Sequence, residues 1–265
     1  MTVALSKTDI ESFNDDGVVV LRGVFKEWID ILIRGAEFHI NNPSSSALVH
    51  QEKSYQGHFM EDFCNWQRIP EYKDFVLNSP LASLAAELTE SKSVQFFHDH
   101  FFYKEAYSGV ETPWHQDMPY YCVSGDQTVS FWLPLESREQ SVSLKCLAGS
   151  HSFPKEIRPT SWSNNDSFYE DNEAFMDLPN IDNGDFEIKQ WATEPGDVVA
   201  FNFKSIHGAN ANIVDGLSRT LSFRLLGDDV VYRQRLGRTS PNFPDINQKN
   251  GERLREDWFP TIWSN

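Results

Sequence analysis

The 265-residue chain is poor in basic residues, has almost no cysteine and contains no long apolar run. Its 23 lysines and arginines stand against 39 acidic residues, which gives a formal net charge of −16 at pH 7. This charge argues against nucleic acid and anionic membranes as partners, because both attract basic patches. We interpret the excess of acid as a matter of solubility rather than as a binding site.

The three cysteines, Cys64, Cys122 and Cys146, lack the close spacing of a zinc site or a disulfide framework. Their scarcity favours a reducing cytoplasm. The N-terminal residues carry no long apolar segment, and no run elsewhere approaches the length that a bilayer requires. We therefore expect a soluble, cytoplasmic protein whose partner is a small molecule, and the sequence leaves its oligomeric state open.

Hydrophobic residues make up 40% of the chain and aromatic residues 14%, which is enough for a packed core. Apolar residues at helical spacing between Ile29 and Ile40 predict a helix that packs against a sheet. Residues 47–65 look irregular, and we expect a loop there, at the rim of a site. From Ser93 the period changes to two, and short strands separated by Gly, Pro and Asp turns predict a closed or two-sheet β architecture.

We predict a single domain over residues 1–265, with a helical N-terminal flank at about 8–92 and a β core at about 93–230. Residues 159–188 contain eight acidic residues, and no Lys or Arg lies between Arg158 and Lys189. We interpret 159–188 as an acidic insertion outside the core. It is either a lid over the site or a plain surface loop.

The segment Trp114-His115-Gln116-Asp117 carries the candidate metal chemistry. Residues i and i+2 of an extended strand project from the same face, so His115 and Asp117 can bind one ion together. His207 follows the strand-like run at 197–203 and offers a second imidazole. Two histidines and one carboxylate form the facial triad that holds non-haem Fe(II) and leaves positions open. His98 and His100 also share a strand face, but they have no matching downstream partner.

The ordered set of His-x-Asp on a strand, a histidine after a Pro-Gly-Asp turn and strand, and an arginine twelve positions later resembles the Fe(II)/2-oxoglutarate dioxygenases. More narrowly, four segments resemble the phytanoyl-CoA dioxygenase family, and the likeness extends from about Asp9 to Trp263. These segments are Trp114–Asp117, Phe131–Leu135, Ala148–His151 and Leu226–Asp229.

The resemblance implies a mainly β fold with flanking helices, a double-stranded β-helix or jelly-roll barrel of the cupin type. It implies Fe(II), 2-oxoglutarate and O2 as cofactors, with ascorbate as an assisting reductant. The implied iron ligands are His115, Asp117 and His207. Arg219 matches the family arginine that binds the far carboxylate of 2-oxoglutarate. Arg224 lies on the opposite face by strand parity, and we therefore expect it to be structural.

Further contacts are predicted around this centre. Trp132 matches a family tryptophan near the cosubstrate, although a core tryptophan is an equal alternative. Lys104 is a candidate cosubstrate contact, because Ala209 stands where relatives often place a serine. His98, Tyr120 and Tyr121 are candidate substrate contacts. The aromatic residues near the motifs predict a pocket that packs on apolar or cationic small molecules, or else belong to the core. They are Phe97, Phe101, Tyr120, Tyr121, Phe131 and Trp132.

The expected reaction is hydroxylation of an unactivated C–H bond of a small-molecule metabolite, with release of succinate and CO2. Relatives that halogenate generally lack the carboxylate ligand, so Asp117 favours hydroxylation or desaturation. One alternative is a cupin-like protein that binds a metal or ligand without oxygenase activity, and another is a zinc hydrolase with the same ligands. Arg219 favours the oxygenase, because a pure binder needs no cosubstrate arginine. The scarcity of basic clusters argues against a CoA ester, and the substrate itself stays open.

Overall fold

The computed structural model describes residues 4–51, 53–161, 167–169, 174–212 and 215–265. The protein is mostly β, with 22% helix. The helices are α1 (Lys7–Asp16), α2 (Ile29–Asn41), α3 (Pro70–Asn78) and α4 (Leu81–Thr89). The strands are β1 (Val18–Leu21), β2 (Leu48–His50), β3 (Phe59–Phe63), β4 (Ser93–Lys104), β5 (Thr112–His115), β6 (Val123–Ser124), β7 (Thr128–Pro134), β8 (Leu144–Leu147), β9 (Glu156–Ile157), β10 (Phe175–Met176), β11 (Ile188–Gln190), β12 (Val198–Phe201), β13 (His207–Ala209), β14 (Ser218–Leu226), β15 (Val231–Tyr232) and β16 (Thr261–Ser264). Across the described residues, no helix is both long enough and apolar enough to cross a bilayer.

Two antiparallel sheets form the body of the protein. The large sheet has the strand order β1-β12-β7-β14-β4-β3-β2, and β16 also pairs with β4. The small sheet has the order β11-β8-β13-β5. From β1 to β4, neighbouring strands of the large sheet are distant in sequence, as in a jelly roll, in which the chain crosses between sheets. The predicted double-stranded β-helix with flanking helices is confirmed.

The large sheet has one face toward the helices and one toward the small sheet, and β14 shows this division clearly. Leu221, Phe223 and Leu225 are buried in the hydrophobic core that the sheet shares with the helices. The residues between them, Ser222 and Arg224, line a cavity on the opposite face. Because side chains of a strand alternate between its faces, β14 separates the apolar core from the polar site.

Residues 47–65 are only in part the loop that the sequence predicts, because they contain β2 and β3, which extend the large sheet beyond β4. The segment does border the cavity described below, as expected. β3 carries two adjacent acidic residues, Glu61 and Asp62, and both are buried. Nε2 of His39 lies 2.9 Å from the Asp62 carboxylate, and two further histidines bond to Glu61. Buried carboxylates are tolerated when they are paired, so partners far away in sequence make this strand possible.

The predicted acidic insertion at 159–188 lies partly outside the described residues, since 162–166 and 170–173 are not among them. In the described part, β10 lies within the insertion and pairs in parallel with β9, which directly precedes the insertion. At the end of the insertion, β11 begins and pairs with β8 in the small sheet. The insertion is thus attached to the small sheet at its C-terminal end, and its role as a lid stays a prediction.

Candidate metal centre

The three predicted metal ligands lie together at the inner end of the small sheet. His115 is the last residue of β5 and His207 is the first of β13, and the two are directly paired across these strands. Their Nε2 atoms lie 3.7 and 3.8 Å from Oδ1 of Asp117. One ligand atom from each residue lies within 4.8 Å of the others. Within the described ranges, no other trio of His, Cys, Asp or Glu is placed to hold a metal ion, so the pair His98 and His100 forms no competing site.

Both imidazoles are oriented by backbone carbonyls. Nδ1 of His115 lies 2.8 Å from the carbonyl oxygen of Pro113, and Nδ1 of His207 lies 3.0 Å from that of Ser205. A carbonyl can only accept, so Nδ1 is the protonated nitrogen in each neutral ring and Nε2 carries the lone pair. Metal-binding histidines are oriented in this way. Two neutral imidazoles and one carboxylate are a donor set that fits non-haem iron.

Asp117 is held as a carboxylate inside the protein. Its Oδ2 accepts a hydrogen bond of 3.0 Å from Ser130 and lies 3.5 Å from Nη2 of Arg224. Burial by itself would raise the pKa of Asp117, but the Arg224 guanidinium beside it holds this pKa well below its usual range. Burial lowers the pKa of His207 to about 3, so this ring is neutral. The centre therefore presents the negative charge of Asp117 beside the neutral ring of His207.

A cavity of about 260 Å³ opens from this centre and is lined by residues of both sheets. Its walls include the rings of Phe63, Phe102, Tyr120, Tyr121, Trp132 and Phe201. Of the six aromatic residues proposed from the sequence, Tyr120, Tyr121 and Trp132 line the cavity. The other three, Phe97, Phe101 and Phe131, are buried in hydrophobic clusters outside it.

Arg219 does not face this cavity, and the predicted register of β14 is wrong by one face. Its Nε lies 2.6 Å from Glu136, and its Nη1 lies 3.5 Å from Glu37 of α2. Arg224 is the arginine on the cavity wall, although the sequence predicts it to be structural. The two do lie on opposite faces, as strand parity requires. The signal in the sequence was the alternation of Leu221, Phe223 and Leu225, which marks the odd positions as the core face.

Arg224 is held in place by several bonds. Its Nε donates to the hydroxyl oxygen of Tyr121 over 3.0 Å, and its Nη1 donates to the carbonyl oxygen of Ser222 over 3.1 Å. The hydroxyl of Ser222 itself is buried and has no hydrogen-bond partner among the described residues. Ser222 lies on the cavity wall and pairs with Trp132 of the neighbouring strand β7. The sequence did not predict a role for it. The one signal in the sequence was that Ser222, two residues before Arg224, lies on the same face of the strand as that arginine.

His98 does not line the cavity, so the predicted substrate contact at this residue is wrong. Its ring packs against the rings of Phe97 and Tyr121, with centroid distances of 4.8 and 5.1 Å. Burial lowers the pKa of His98 well below its usual range, which keeps the ring neutral. Tyr121, which does line the cavity, packs between this histidine and the site.

His100 lines the cavity instead, as part of a cluster that the sequence does not reveal. Glu61 accepts hydrogen bonds from Nε2 of His50 over 2.8 Å and from Nε2 of His100 over 3.0 Å. Burial by itself would raise the pKa of Glu61, but the two histidines lower it to about 2. All three residues lie on the cavity wall. They come from β2, β3 and β4, so only the pairing of these strands brings them together.

The predicted insertion contributes to the cavity through the part that the structure describes. The hydroxyl of Tyr120 donates to the carbonyl oxygen of Thr160 over 2.8 Å and accepts from its backbone nitrogen over 3.0 Å. Thr160 and Phe168 also line the cavity. The start of the insertion is thus connected to the segment that carries Asp117.

Lys104 lines the cavity as well, but it stands at the opposite end from the metal centre. The register of β14 with β4 pairs Ser218 with Lys104 and Arg224 with His98. Ser218, the residue of β14 that pairs with Lys104, therefore lies six positions along the strand from Arg224. The cosubstrate contact that the sequence predicts for Lys104 stays a prediction.

Several solved structures share this fold. The non-haem α-ketoglutarate-dependent epimerase SnoN from nogalamycin biosynthesis superposes with a TM-score of 0.76 at 16% identity, over 97% of this chain and 98% of its own. The carbocyclase SnoK from the same pathway gives 0.75 at 18% identity, over 98% and 97%. EctD from S. alaskensis, crystallised with 2-oxoglutarate and 5-hydroxyectoine, gives 0.68 at 18% identity, over 94% and 85%. At these identities the likeness establishes the fold class, a cupin-like jelly roll.

The sequence comparison defines the family. The model of the phytanoyl-CoA dioxygenase family (PhyH) matches residues 13–221, which is most of the chain. This protein therefore belongs to the phytanoyl-CoA dioxygenase family. No curated protein matches the sequence significantly. Family and fold together place the chain in the superfamily of 2-oxoglutarate-dependent non-haem iron oxygenases.

Proposed function

We propose that this protein is an Fe(II)- and 2-oxoglutarate-dependent oxygenase that hydroxylates an unactivated C–H bond of a small-molecule metabolite, with release of succinate and CO2. The observation that carries the proposal is the arrangement of His115, Asp117 and His207. Both rings are oriented by backbone carbonyls so that the Nε2 lone pairs converge beside one ionised carboxylate.

These three residues would hold Fe(II) and leave its remaining positions open to cosubstrate and oxygen. Bound iron, with 2-oxoglutarate and O2, supplies the oxidising chemistry. Asp117 keeps one negative charge beside the ion, and the bonds from Ser130 and Arg224 hold its second oxygen away from the imidazoles. The protein's part is therefore to fix the ligands and to orient what binds next to them.

Arg224 and Ser222 would bind a carboxylate of the cosubstrate. The guanidinium of Arg224 lies beside Asp117, so a keto acid bound to the same ion must pass close to it. Tyr121 and a backbone carbonyl occupy two of the five N–H donors, and others remain for a carboxylate. The buried hydroxyl of Ser222, without a partner among the described residues, is a further donor. Trp132 would form the neighbouring wall.

The apolar walls would orient the substrate. Phe63 stacks on the ring of His100 at a centroid distance of 3.7 Å, and Phe102 packs against the same ring, tilted, at 3.8 Å. The stack is an apolar surface against which a hydrocarbon body can pack. Such a surface excludes water from the reacting end and leaves a C–H bond directed at the metal centre.

The test is an anaerobic titration of the purified protein with Fe(II) and 2-oxoglutarate. A weak visible charge-transfer band is expected for wild type and for the control His58→Ala, because His58 pairs with Glu105 outside the cavity. His207→Ala should lose the band. A correctly folded wild type without the band would contradict the proposal and support the alternative of a cupin-like binding protein. Turnover supported by zinc without oxygen would instead establish a hydrolase.

A screen of candidate metabolites for succinate formation identifies the substrate, and analysis of the product identifies the type of reaction. Succinate formed in equal amount with a hydroxylated product supports the hydroxylase. If succinate forms together with a desaturated, epimerised or cyclised product, the protein is still an oxygenase of this class, but its reaction is not hydroxylation.

A further inference from the structure

His100 is a buried histidine on the cavity wall, and only 4% of its surface is exposed. Its ring packs against the rings of Phe63 and Phe102, at centroid distances of 3.7 and 3.8 Å. Its Nε2 lies 3.0 Å from a carboxylate oxygen of Glu61. These contacts use the ring surface and one nitrogen, and they leave Nδ1 as the nitrogen that a ligand can reach.

The contact with Glu61 determines which ring nitrogen of His100 is protonated. Burial would raise the pKa of Glu61, but hydrogen bonds from His100 and His50 lower it to about 2, so Glu61 is a carboxylate that can only accept. Burial lowers the pKa of His100 to about 4, so its ring is neutral at neutral pH. A neutral imidazole has one N–H, and Nε2 uses it toward Glu61. Nδ1 of His100 is therefore a hydrogen-bond acceptor.

This acceptor has no hydrogen-bond partner among the described residues. It is not fully buried, in contrast to Nε2 of His98, so it is accessible from the cavity that His100 lines. The side chain of His50, the other histidine on Glu61, is 33% exposed, and water can satisfy its second nitrogen. 2-Oxoglutarate cannot be the partner of His100, because its two ionised carboxylates and its ketone are all acceptors.

The ring of His100 is directed away from the strand that would bind the cosubstrate. In the large sheet, β14 lies on one side of β4 and β3 lies on the other. Arg224 belongs to β14, whereas Glu61 and Phe63, which contact the ring of His100, belong to β3. The free acceptor is thus a feature of the β3 side of the cavity.

We propose that the substrate has a hydroxyl or amino group, and that this group donates a hydrogen bond to Nδ1 of His100 while the reacting carbon lies at the metal centre. This assignment rests on the proposed function, because the metal centre defines the reacting carbon. Glu61 is a positioning residue here, since a carboxylate bonded to one imidazole nitrogen makes the other nitrogen a stronger acceptor. Phe63 and Phe102 can pack on the carbons beside the donor group.

The test compares cyclohexanol with cyclohexanone, which is similar in size but has no O–H. Each is titrated calorimetrically into the full-length protein loaded with Fe(II) and 2-oxoglutarate in the absence of oxygen. Wild type should bind cyclohexanol about three- to tenfold more tightly, the effect of one hydrogen bond. His100→Phe keeps an aromatic ring but has no acceptor, so the preference should vanish.

A parallel titration with cyclohexylamine distinguishes the two kinds of donor. Tighter binding of the amine than of cyclohexanol, lost in His100→Phe, would support the proposal with an amino group as the donor. Tighter binding of cyclohexanol, lost in the same variant, would support it with a hydroxyl group.

His39→Phe is the matched control. Like His100, His39 is buried, stacks on a phenylalanine ring and bonds to an acidic residue of β3, which is Asp62 at 2.9 Å. It does not line the cavity, so His39→Phe should keep the wild-type preference. Equal affinities in wild type, no measurable binding of cyclohexanol, or a preference that survives His100→Phe would each overturn the proposal.

Nuclear magnetic resonance of the wild type gives a second measurement, which applies even if His100→Phe does not fold. The histidines are isotope-labelled, and zinc replaces the paramagnetic iron. Nδ1 of His100 should appear as an unprotonated nitrogen whose resonance shifts with cyclohexanol but not with cyclohexanone. A protonated Nδ1, or equal shifts with both compounds, would reject the assignment.

The titration needs no turnover, so the two proposals can fail separately. It is repeated on protein without metal and 2-oxoglutarate. A cyclohexanol preference that depends on His100, in a protein without the charge-transfer band, would reject the oxygenase and keep the acceptor site. The band without this preference would keep the oxygenase and reject the acceptor site.

Discussion

The two ends of the cavity each contain a buried cation, but only the cation at the metal end has a carboxylate within ion-pair distance among the described residues. At the metal end, Arg224 bonds to Tyr121 and lies beside Asp117. Burial alone would lower the pKa of Arg224, but these two neighbours raise it. At the far end, Lys104 has only a carbonyl and a ring, and burial lowers its pKa. The cation of the metal end thus lies beside a carboxylate, whereas the cation of the far end contacts a carbonyl and a ring.

The largest effects are expected from the metal end. His115→Ala, Asp117→Ala and His207→Ala should each abolish iron retention and turnover, because a three-residue site loses one ligand. The free energy of unfolding should fall by no more than a few kcal/mol, the usual range for single changes. Iron content after desalting, together with thermal melts, measures both quantities. His58→Ala should retain iron. Variants that fail to fold would show that these residues are structural.

At the far end, Lys104→Met should stabilise the protein. A lowering of the pKa of Lys104 from 10.5 to about 8 corresponds to a cost of roughly 3 kcal/mol at pH 7. The substitution should raise the free energy of unfolding by up to that amount, measured by urea denaturation. The half-buried Lys145, changed to Met, is the control, and no comparable gain is expected there.

The pH dependence of the stability gain from Lys104→Met follows from the direction of the Lys104 pKa shift. The folded state binds the Lys104 proton less tightly than the unfolded state, because the folded pKa is the lower one. The cost is therefore complete below pH 8, shrinks as the pH rises from 8 to 10.5, and is absent above that range. The advantage of Lys104→Met should disappear by about pH 11. A gain that is equal at pH 7 and pH 11 would show that the ammonium is not its cause.

The two arginines of β14 together test which face of the strand borders the cavity. Arg224→Lys should weaken 2-oxoglutarate binding by about 1.5–3 kcal/mol, because it loses the planar fork beside the metal centre. Arg219→Lys should leave this affinity unchanged and lower stability by less than about 1 kcal/mol, since Arg219 pairs with Glu136 and Glu37 and a lysine can keep an ion pair with either. Anaerobic titration of the charge-transfer band measures both affinities. The reverse result would return the cosubstrate role to Arg219.

The smallest effect is expected at Ser222. Ser222→Ala should weaken 2-oxoglutarate binding by about 0.5–1.5 kcal/mol, the usual contribution of one hydrogen bond. It should not lower the melting temperature, because the hydroxyl has no partner among the described residues. Ser108 has an equally buried hydroxyl without a described partner and does not line the cavity, so Ser108→Ala is the control. Equal 2-oxoglutarate affinity in the two variants would remove Ser222 from the site.

Local sequence was sufficient for two of the three metal ligands and for a closed or two-sheet β architecture. The i, i+2 spacing of an extended segment predicted that His115 and Asp117 reach one ion, although β5 ends at His115 and Asp117 lies just beyond the strand. The helical spacing from Ile29 to Ile40 predicted α2 for a similar reason, since its apolar stripe repeats within the segment itself. Family motifs then added His207, whose distance along the chain no periodicity connects to His115.

Only the tertiary structure decided which face of each strand borders the site. Parity separates Arg219 from Arg224, but the side on which the helices pack determines which of them is inside. β3 was missed because Glu61 and Asp62 are unfavourable in a buried strand until histidines from α2, β2 and β4 pair with them. Lys104 could be assigned to the far end only from the register of β4 with β14. Strand pairing is a long-range property, and a single sequence contains the alternation of each strand but not its neighbours.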